Sequence, residues 1–312
     1  MTKMKKLSYA LEGALCWALM LLFKILPVDV ASALGGQIGQ AIGFFMSGAN
    51  KKADRHLRHA MPDLNAARRK TIIREMWNNM GRVFAEYPHL ETIALTRTTV
   101  KNSHIMDSLR ENPTGSIFIG LHQGNWEIWA GMALLKYGVQ VDITYRAPNN
   151  PYVDKLVSKM RGMNGRITGY PKTRQSGKKI MAALKNKGNL AILIDQKYNT
   201  GLSIPFFGYP AKTNPAAFQL TRKYKCPLIP SQCIRTKGAH FDLIFHPPIP
   251  THGDNGEERP LEETMQKAHL LMEDWIRQNP GQWIWLHKRW GDKMGQSGAN
   301  ATTQTGHNDT TT

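Results

Sequence analysis

The stretch Ser116-Ile117-Phe118-Ile119-Gly120-Leu121-His122-Gln123-Gly124-Asn125-Trp126-Glu127 decides how this chain is read. Ser116 to Leu121 is a short apolar, β-branched run, the pattern of a buried strand. His122 stands at its C-terminal end. Gly124 permits a tight turn, and Asn125 is a good N-cap for the amphipathic run Trp126 to Tyr137. On one continuous helix His122 and Glu127 would point about 140° apart. A strand-turn-helix corner instead puts the imidazole at the strand end and the carboxylate in the first helical turn, where the helix dipole favours negative charge. The expectation is a hydrogen-bonded pair in which Glu127 fixes the tautomer of His122 and leaves the other ring nitrogen free as a general base.

Spacing alone does not carry this reading. Four histidines, His122, His252, His269 and His287, have an acid five residues later. His252 lies in a Gly/Asp/Asn-rich loop, and His269 lies inside a helical pattern with no strand before it. His122 alone has the strand, the glycine turn and the helix start together. The plain alternative is a histidine that merely caps a strand end.

Outward from this corner the pattern alternates. Strands are expected over 139–145, 190–194, 227–234 and 241–245, and helices over 66–87, 152–163, 177–187, 215–224 and 263–276. Alternation of this kind predicts an α/β fold with a mostly parallel central sheet flanked by helices. In such sheets ligands bind outside the carboxyl ends of the strands. His122, Arg146 and Asp195 all fall at predicted strand ends, on that one edge.

Around this edge lie groups with two readings each. Arg146, opening a turn-rich loop, and Arg161, on the helix that follows, suit phosphate binding or oxyanion stabilisation; surface ion pairs are the ordinary alternative. Asp195, followed by Gln196, can orient an arginine or a substrate group, or simply cap its strand. Phe206 and Phe207 suit an apolar chain near the edge, or core filling. Trp283, Trp285 and Trp290 around Lys288 and Arg289 fit a membrane interface or a nucleic-acid stack. No RNA-binding or helix-turn-helix pattern supports the latter, so nucleic acid is not an expected partner.

Composition narrows the partners. The 312 residues allow one large α/β domain or two small ones. Lys+Arg 41 against Asp+Glu 23 gives a formal net charge of +18, which points to an anionic partner: nucleic acid, anionic lipid or an acidic carrier protein. Cys16, Cys226 and Cys233 contain no CxxC, so neither a disulfide scaffold nor a metal site is expected. There is no metal-ligand cluster, no GxSxG and no GxGxxG after a strand, so no cofactor is expected. A His–Glu pair without a nucleophile suits deprotonation of a substrate hydroxyl, which itself attacks an activated acyl group.

The N-terminus reads as a hydrophobic membrane anchor. Lys3, Lys5 and Lys6 precede an apolar run from Gly13 to Phe23, shorter than the about 20 residues of a confident span. No small-residue cleavage site follows, against a cleaved signal peptide. Val30 to Met46 carries Gly35, Gly39 and Gly43 at small-xxx-small spacing, which permits close helix packing in a membrane or in a soluble helix pair. Lys51, Lys52, Arg55 and Arg58 then suit anionic headgroups at about 1 kcal/mol each, or a solvated helix face.

Four segments together carry a family resemblance. His122-Gln-Gly-Asn-Trp-Glu127 resembles the HxxxxD/E motif of glycerolipid-type acyltransferases. Tyr145-Arg146-Ala-Pro-Asn-Asn-Pro151, the run from Asp195-Gln196 through Pro205-Phe-Phe-Gly208 to Thr213, and Trp285-Leu-His-Lys-Arg289 resemble the late acyltransferases of lipid A biosynthesis, the lauroyl/myristoyl group, over residues 7 to 290. The resemblance implies an inner-membrane enzyme, its catalytic domain on the cytoplasmic face. Such an enzyme moves a fatty acyl chain from acyl carrier protein to a hydroxyl of a Kdo-bearing lipid A precursor. It also implies that Arg161 and Asp195 are needed for activity. His122 and Glu127 are the expected catalytic residues, with Arg146, Arg161, Asp195 and Gln196 binding substrate. The phosphatidylinositol mannoside acyltransferases share much of the pattern, so another glycolipid acceptor is the alternative. A non-enzymatic basic protein that binds anionic lipid or nucleic acid is the competing class. The expected organisation is an anchor over 1–50, an acyltransferase domain over 51–294 and a disordered tail over 295–312.

Overall fold

A computed structural model describes residues 2–253 and 255–291; the tail expected over 295–312 lies outside them. The chain opens with helices α1 (Lys3–Ile25), α2 (Val28–Phe45), α3 (Ser47–Ala60), α4 (Ala66–Glu86) and α5 (Leu90–Thr96). Then come β1 (Thr98–Lys101), α6 (His104–Glu111), β2 (Ser116–Gly120), α7 (Ile128–Tyr137), β3 (Val141–Tyr145), α8 (Pro151–Arg161), β4 (Gly169–Pro171), α9 (Arg174–Lys185) and β5 (Asn189–Leu193). The last elements are β6 (Leu202–Phe206), β7 (Tyr209–Thr213), α10 (Ala216–Tyr224), β8 (Leu228–Lys237), β9 (His240–Phe245) and α11 (Leu261–Gln278).

Seven strands form one sheet in the order β1-β9-β8-β2-β5-β3-β4. Every neighbouring pair is parallel except the hairpin β8–β9. The expected mostly parallel α/β architecture is therefore the observed one. The strand containing the corner lies at the centre, and all five of its residues are buried, as a strand covered on both faces must be. Two hydrophobic clusters fill the two sides. One gathers Ile117 and Ile119 with Phe206, Phe218, Trp275 and Trp285; the other gathers Phe118 with Trp129, Phe241 and Phe245.

The first two helices are integral to this packing. Cys16, Met20 and Val28 belong to the second cluster, and Phe23 and Ala31 pack with Ala85 of α4. Gly35, Gly39 and Gly43 press directly onto α4, where a Cβ at these positions would overlap Ala85, the Trp77 carbonyl and the Trp77 indole respectively. The small-xxx-small stripe thus joins α2 to α4. The opposite faces carry exposed apolar stripes: Leu7, Leu11, Leu15 and Leu22 on α1, and Val30, Leu34, Ile38 and Ile42 on α2. The helix Met4–Ile25 is long and apolar enough, by length and composition, to cross a membrane.

Strands β6 and β7 form a separate antiparallel hairpin. Its turn is Phe207-Gly208, both with positive φ (51° and 77°), the twist that matches a tight hairpin. Phe206 and Phe207 are buried, at 0% and 6% exposure, so core filling is their role. Trp283, Trp285, Arg289 and Trp290 are also buried. The expected aromatic-basic membrane interface in that segment does not form, because these rings pack under the β6–β7 hairpin and around His56 and His59.

Candidate active site

The parallel register pairs Gly120 of β2 with Leu193 of β5. Two residues further along each strand, His122 and Asp195 meet. His122 Nδ1 lies 2.8 Å from Asp195 Oδ1, and the His122 backbone N–H donates to Asp195 Oδ2 at 3.1 Å. The Trp283 indole N–H also donates to Oδ2, at 2.8 Å. The fully buried carboxyl is pushed up by burial, yet the His122 ring beside it and these hydrogen bonds hold it below the usual carboxylate range. An ionised Asp195 accepts only, so Nδ1 carries the proton and Nε2 presents its lone pair. The carboxamide nitrogen of Gln196 sits 3.2 Å from that Nε2 and 3.0 Å from Nε2 of His287, donating one N–H to each. Burial is the largest influence on His287 and lowers its affinity for a proton, which suits an acceptor.

This arrangement corrects the expected pairing. Glu127 is not the carboxylate bonded to His122. Its oxygens accept from Arg161 Nε at 2.5 Å and Nη2 at 2.7 Å, from the Tyr87 hydroxyl at 2.7 Å and from the Trp126 indole at 3.0 Å. Burial raises its proton affinity, but the Arg161 charge and these bonds leave it lowered on balance. Arg161 is raised in turn: desolvation by burial opposes its charge, and Glu127 outweighs that cost. The physical reason is where the helix begins. It starts at Ile128, with Glu127 as its cap residue, and Asn125 Oδ1 accepts from the Glu127 backbone N–H at 3.1 Å. The side chain therefore faces α8 and Tyr87. Gly124, at φ +61°, makes the bend possible, and a Cβ there would press on the Cys233 carbonyl.

His122, Glu127, Arg146, Arg161 and Gln196 line one cavity of about 330 Å³, and Asp195 stands directly behind the imidazole. At its polar end His122, Arg146 and Gln196 stand just past the carboxyl ends of β2, β3 and β5, while Glu127 and Arg161 come from the start of α7 and the end of α8. Its depth runs between the sheet and α7, past Phe118, Trp129, Ala130, Ile143, Ala191 and Leu193. A polar mouth over an apolar channel is the shape an acyl chain with a reactive carbonyl requires. Cys233 also lines the cavity, but burial pushes its thiol up to about 12, so it is no thiolate nucleophile at neutral pH. Cys226 is likewise a buried free thiol, a core residue as expected. Among the described residues no group of three His, Cys, Asp or Glu side chains could hold a metal ion.

Five contributors escaped sequence reasoning: Tyr87, Trp126, Lys172, Trp283 and His287. Tyr87 lay within a helical apolar stripe and read as core. Trp283 and His287 follow the end of α11 in irregular backbone, where no periodicity marks an orientation. Trp283 is located by a backbone bridge to Gln123, next to His122.

An imidazole braced by a buried carboxylate beside an apolar channel is an arrangement that suits an enzyme acting on acyl chains. Comparison with known proteins agrees with the chemistry. The family model described as bacterial lipid A biosynthesis acyltransferase matches residues 1–292, and the chain belongs to that family. Over 310 residues it is 25% identical to the lipid A biosynthesis lauroyltransferase of Escherichia coli (strain K12), covering 93% of this chain and 96% of that protein. This protein is therefore an acyltransferase of lipid A synthesis.

Proposed function

We propose that the enzyme moves a fatty acyl chain from acyl carrier protein to a hydroxyl of a Kdo-bearing lipid A precursor, at the cytoplasmic face of a bacterial inner membrane. The observation that carries this reading is the His122–Asp195 dyad, with Nε2 directed at the mouth of the apolar cavity. In the proposed reaction the acyl chain lies in the channel with its thioester carbonyl at the mouth. His122 Nε2 takes the acceptor hydroxyl proton as the oxygen attacks that carbonyl. The tetrahedral intermediate then collapses, the carbon–sulfur bond breaks, and the imidazolium returns the proton to the departing thiolate. The products are an ester and the carrier thiol.

Two groups are placed to serve the oxyanion. The Gln196 carboxamide must leave Nε2 when a hydroxyl arrives, which frees a donor at the mouth. Arg161 uses Nε and Nη2 for Glu127 and Tyr87, and Nη1 makes none of these bonds. Glu127 thereby holds the guanidinium at the cavity wall, over the Tyr145 ring at 5.2 Å. The +18 charge and the basic face of α3 favour an acidic carrier protein and an anionic membrane surface. The exposed stripes of α1 and α2 favour burial in that surface.

Mass spectrometry of lipid A from a deletion strain tests the acceptor. Loss of one acyl chain, restored by the wild-type gene and not by His122→Ala, is expected. Unchanged lipid A would overturn the assignment.

A further inference from the structure

A second cavity, of about 430 Å³, lies on the other side of the catalytic turn. Its walls come from α2, α4, the end of α11 and the segment before Trp283, and none of its lining residues lines the catalytic cavity. Arg68, Arg82 and Arg235 face it together with a set of carboxamides, including Asn78, Gln278 and Asn279. Arg235 is fully engaged. Its Nη1 and Nη2 lie 2.5 and 3.0 Å from the two oxygens of Glu86, a carboxylate with no exposed surface. Those oxygens also accept from the Ser32 hydroxyl at 2.6 Å and from Asn125 of the catalytic turn at 2.8 Å. Four donors fill the acceptor sites of a carboxylate.

Arg82 is therefore left over. It donates to Asn78 Oδ1 at 2.7 Å and to Ser32 Oγ at 2.9 Å, both neutral, and forms no ion pair among the described residues. Burial, then the like charge of Arg235, makes its guanidinium less comfortable as a cation than usual. Arg68 is partly answered by Glu75 at 3.2 Å. Around the cavity three guanidinium groups thus meet two carboxylates, Glu75 and Glu86, which leaves one positive charge. The side chains of Gln278 and Asn279 make no hydrogen bond among the described residues, and Asn78 uses only its oxygen. The carboxamides of Asn78, Gln278 and Asn279 thus keep their N–H donors available beside a guanidinium that has no carboxylate of its own.

We propose that this cavity binds a phosphate ester, with Arg82 making the charge-assisted contact and Asn78, Gln278 and Asn279 donating to the remaining ester oxygens. A guanidinium fork flanked by carboxamides matches several oxygens on one centre. The volume exceeds what a lone carboxylate would fill. Gln40 brings α2 to the rim, and α2 carries the exposed apolar stripe Val30, Leu34, Ile38 and Ile42. The ester therefore has two admissible sources, a phospholipid headgroup or a soluble phosphate ester.

The test uses the full chain in non-ionic detergent, titrated calorimetrically with glycerol 3-phosphate and, separately, with dihexanoyl phosphatidylglycerol. Saturable binding of at least one probe is expected, weakened about tenfold or more by Arg82→Gln, the loss of one charge-assisted bond. Binding of the diacyl probe alone identifies a headgroup; comparable binding of both identifies a soluble ester. Gln278→Glu, on an exposed side chain, puts a repelling charge at the rim and should weaken binding similarly. It decides the matter if Arg82→Gln does not fold. Absence of saturable binding of both probes to the wild type, or wild-type affinity in the deciding variant, overturns the proposal.

Discussion

Replacing Asp195 by asparagine isolates the role of one oxygen. Asp195 Oδ2 receives two fixed donors, the His122 backbone N–H and the Trp283 indole N–H. In Asp195→Asn the amide oxygen must stay at that position, because an amide nitrogen there would face two N–H groups. The amide nitrogen then replaces Oδ1, 2.8 Å from His122 Nδ1. A donor at that point forces the ring to present its lone pair at Nδ1 and its proton at Nε2. The base is then the wrong tautomer for taking a proton from the acceptor, although shape and volume are preserved. General-base catalysis is worth about 10²–10⁴-fold, and the equivalent carboxylate-to-amide change in a hydrolase triad costs about 10⁴. The expected loss in kcat/KM is therefore about 10²–10⁴-fold with a folded protein. The assay is transfer of radiolabelled acyl groups from acyl carrier protein, with a thermal melt in detergent run in parallel. A folded Asp195→Asn enzyme within threefold of wild type would refute the orienting role of Asp195.

Further predictions follow from the same geometry. Glu127→Gln leaves the Arg161 charge buried without its partner and should cost about 3–5 kcal/mol of stability; chemical denaturation measures this, and the double variant Glu127→Gln/Arg161→Met should recover most of it. Burial and the neighbouring Arg289 charge take His269 from 6.5 down to about 3. The unfolded chain therefore binds the extra proton between those values, and stability should fall as pH drops from 6.5 toward 3. The slope approaches about 1.4 kcal/mol per pH unit, and a denaturation series in His269→Gln should lose that component. Leu34→Glu with Ile38→Glu, on the exposed stripe of α2, should shift the folded protein toward the soluble fraction, whereas an unchanged distribution counts against membrane contact there. With acyl carrier protein as donor kcat/KM should fall as salt rises, and equal use of an acyl-coenzyme A thioester would remove the carrier protein from the account.

The fold and half the site were legible because they depend on local pattern. The run Ser116 to Leu121, its glycine turn and the alternating elements after it follow from periodicity and turn chemistry. Every residue singled out at the carboxyl edge does reach one site. What the sequence withheld is which carboxylate meets which partner. Asp195 lies 73 positions from His122 and meets it only because β2 and β5 are neighbours in register. Strand order is not sequence order, so adjacency of those two ends has no local signature. Glu127 was the nearer carboxylate along the chain, but the helix begins after it, and α8 supplies a guanidinium that outcompetes an imidazole. The glycine stripe showed a close helix contact without its partner, which proved to be α4. Trp283 and His287 sit in irregular backbone whose course is fixed by long-range contacts alone.

The most direct test of the central claim is a single-turnover reaction of purified enzyme with acyl carrier protein thioester and a Kdo-bearing lipid A precursor, read by mass spectrometry. The account predicts a product heavier by one ester-linked acyl chain, formed by the wild type and slowed about 10²–10⁴-fold in His122→Ala. An unmodified precursor with the wild type, or an undiminished rate in His122→Ala, would contradict it.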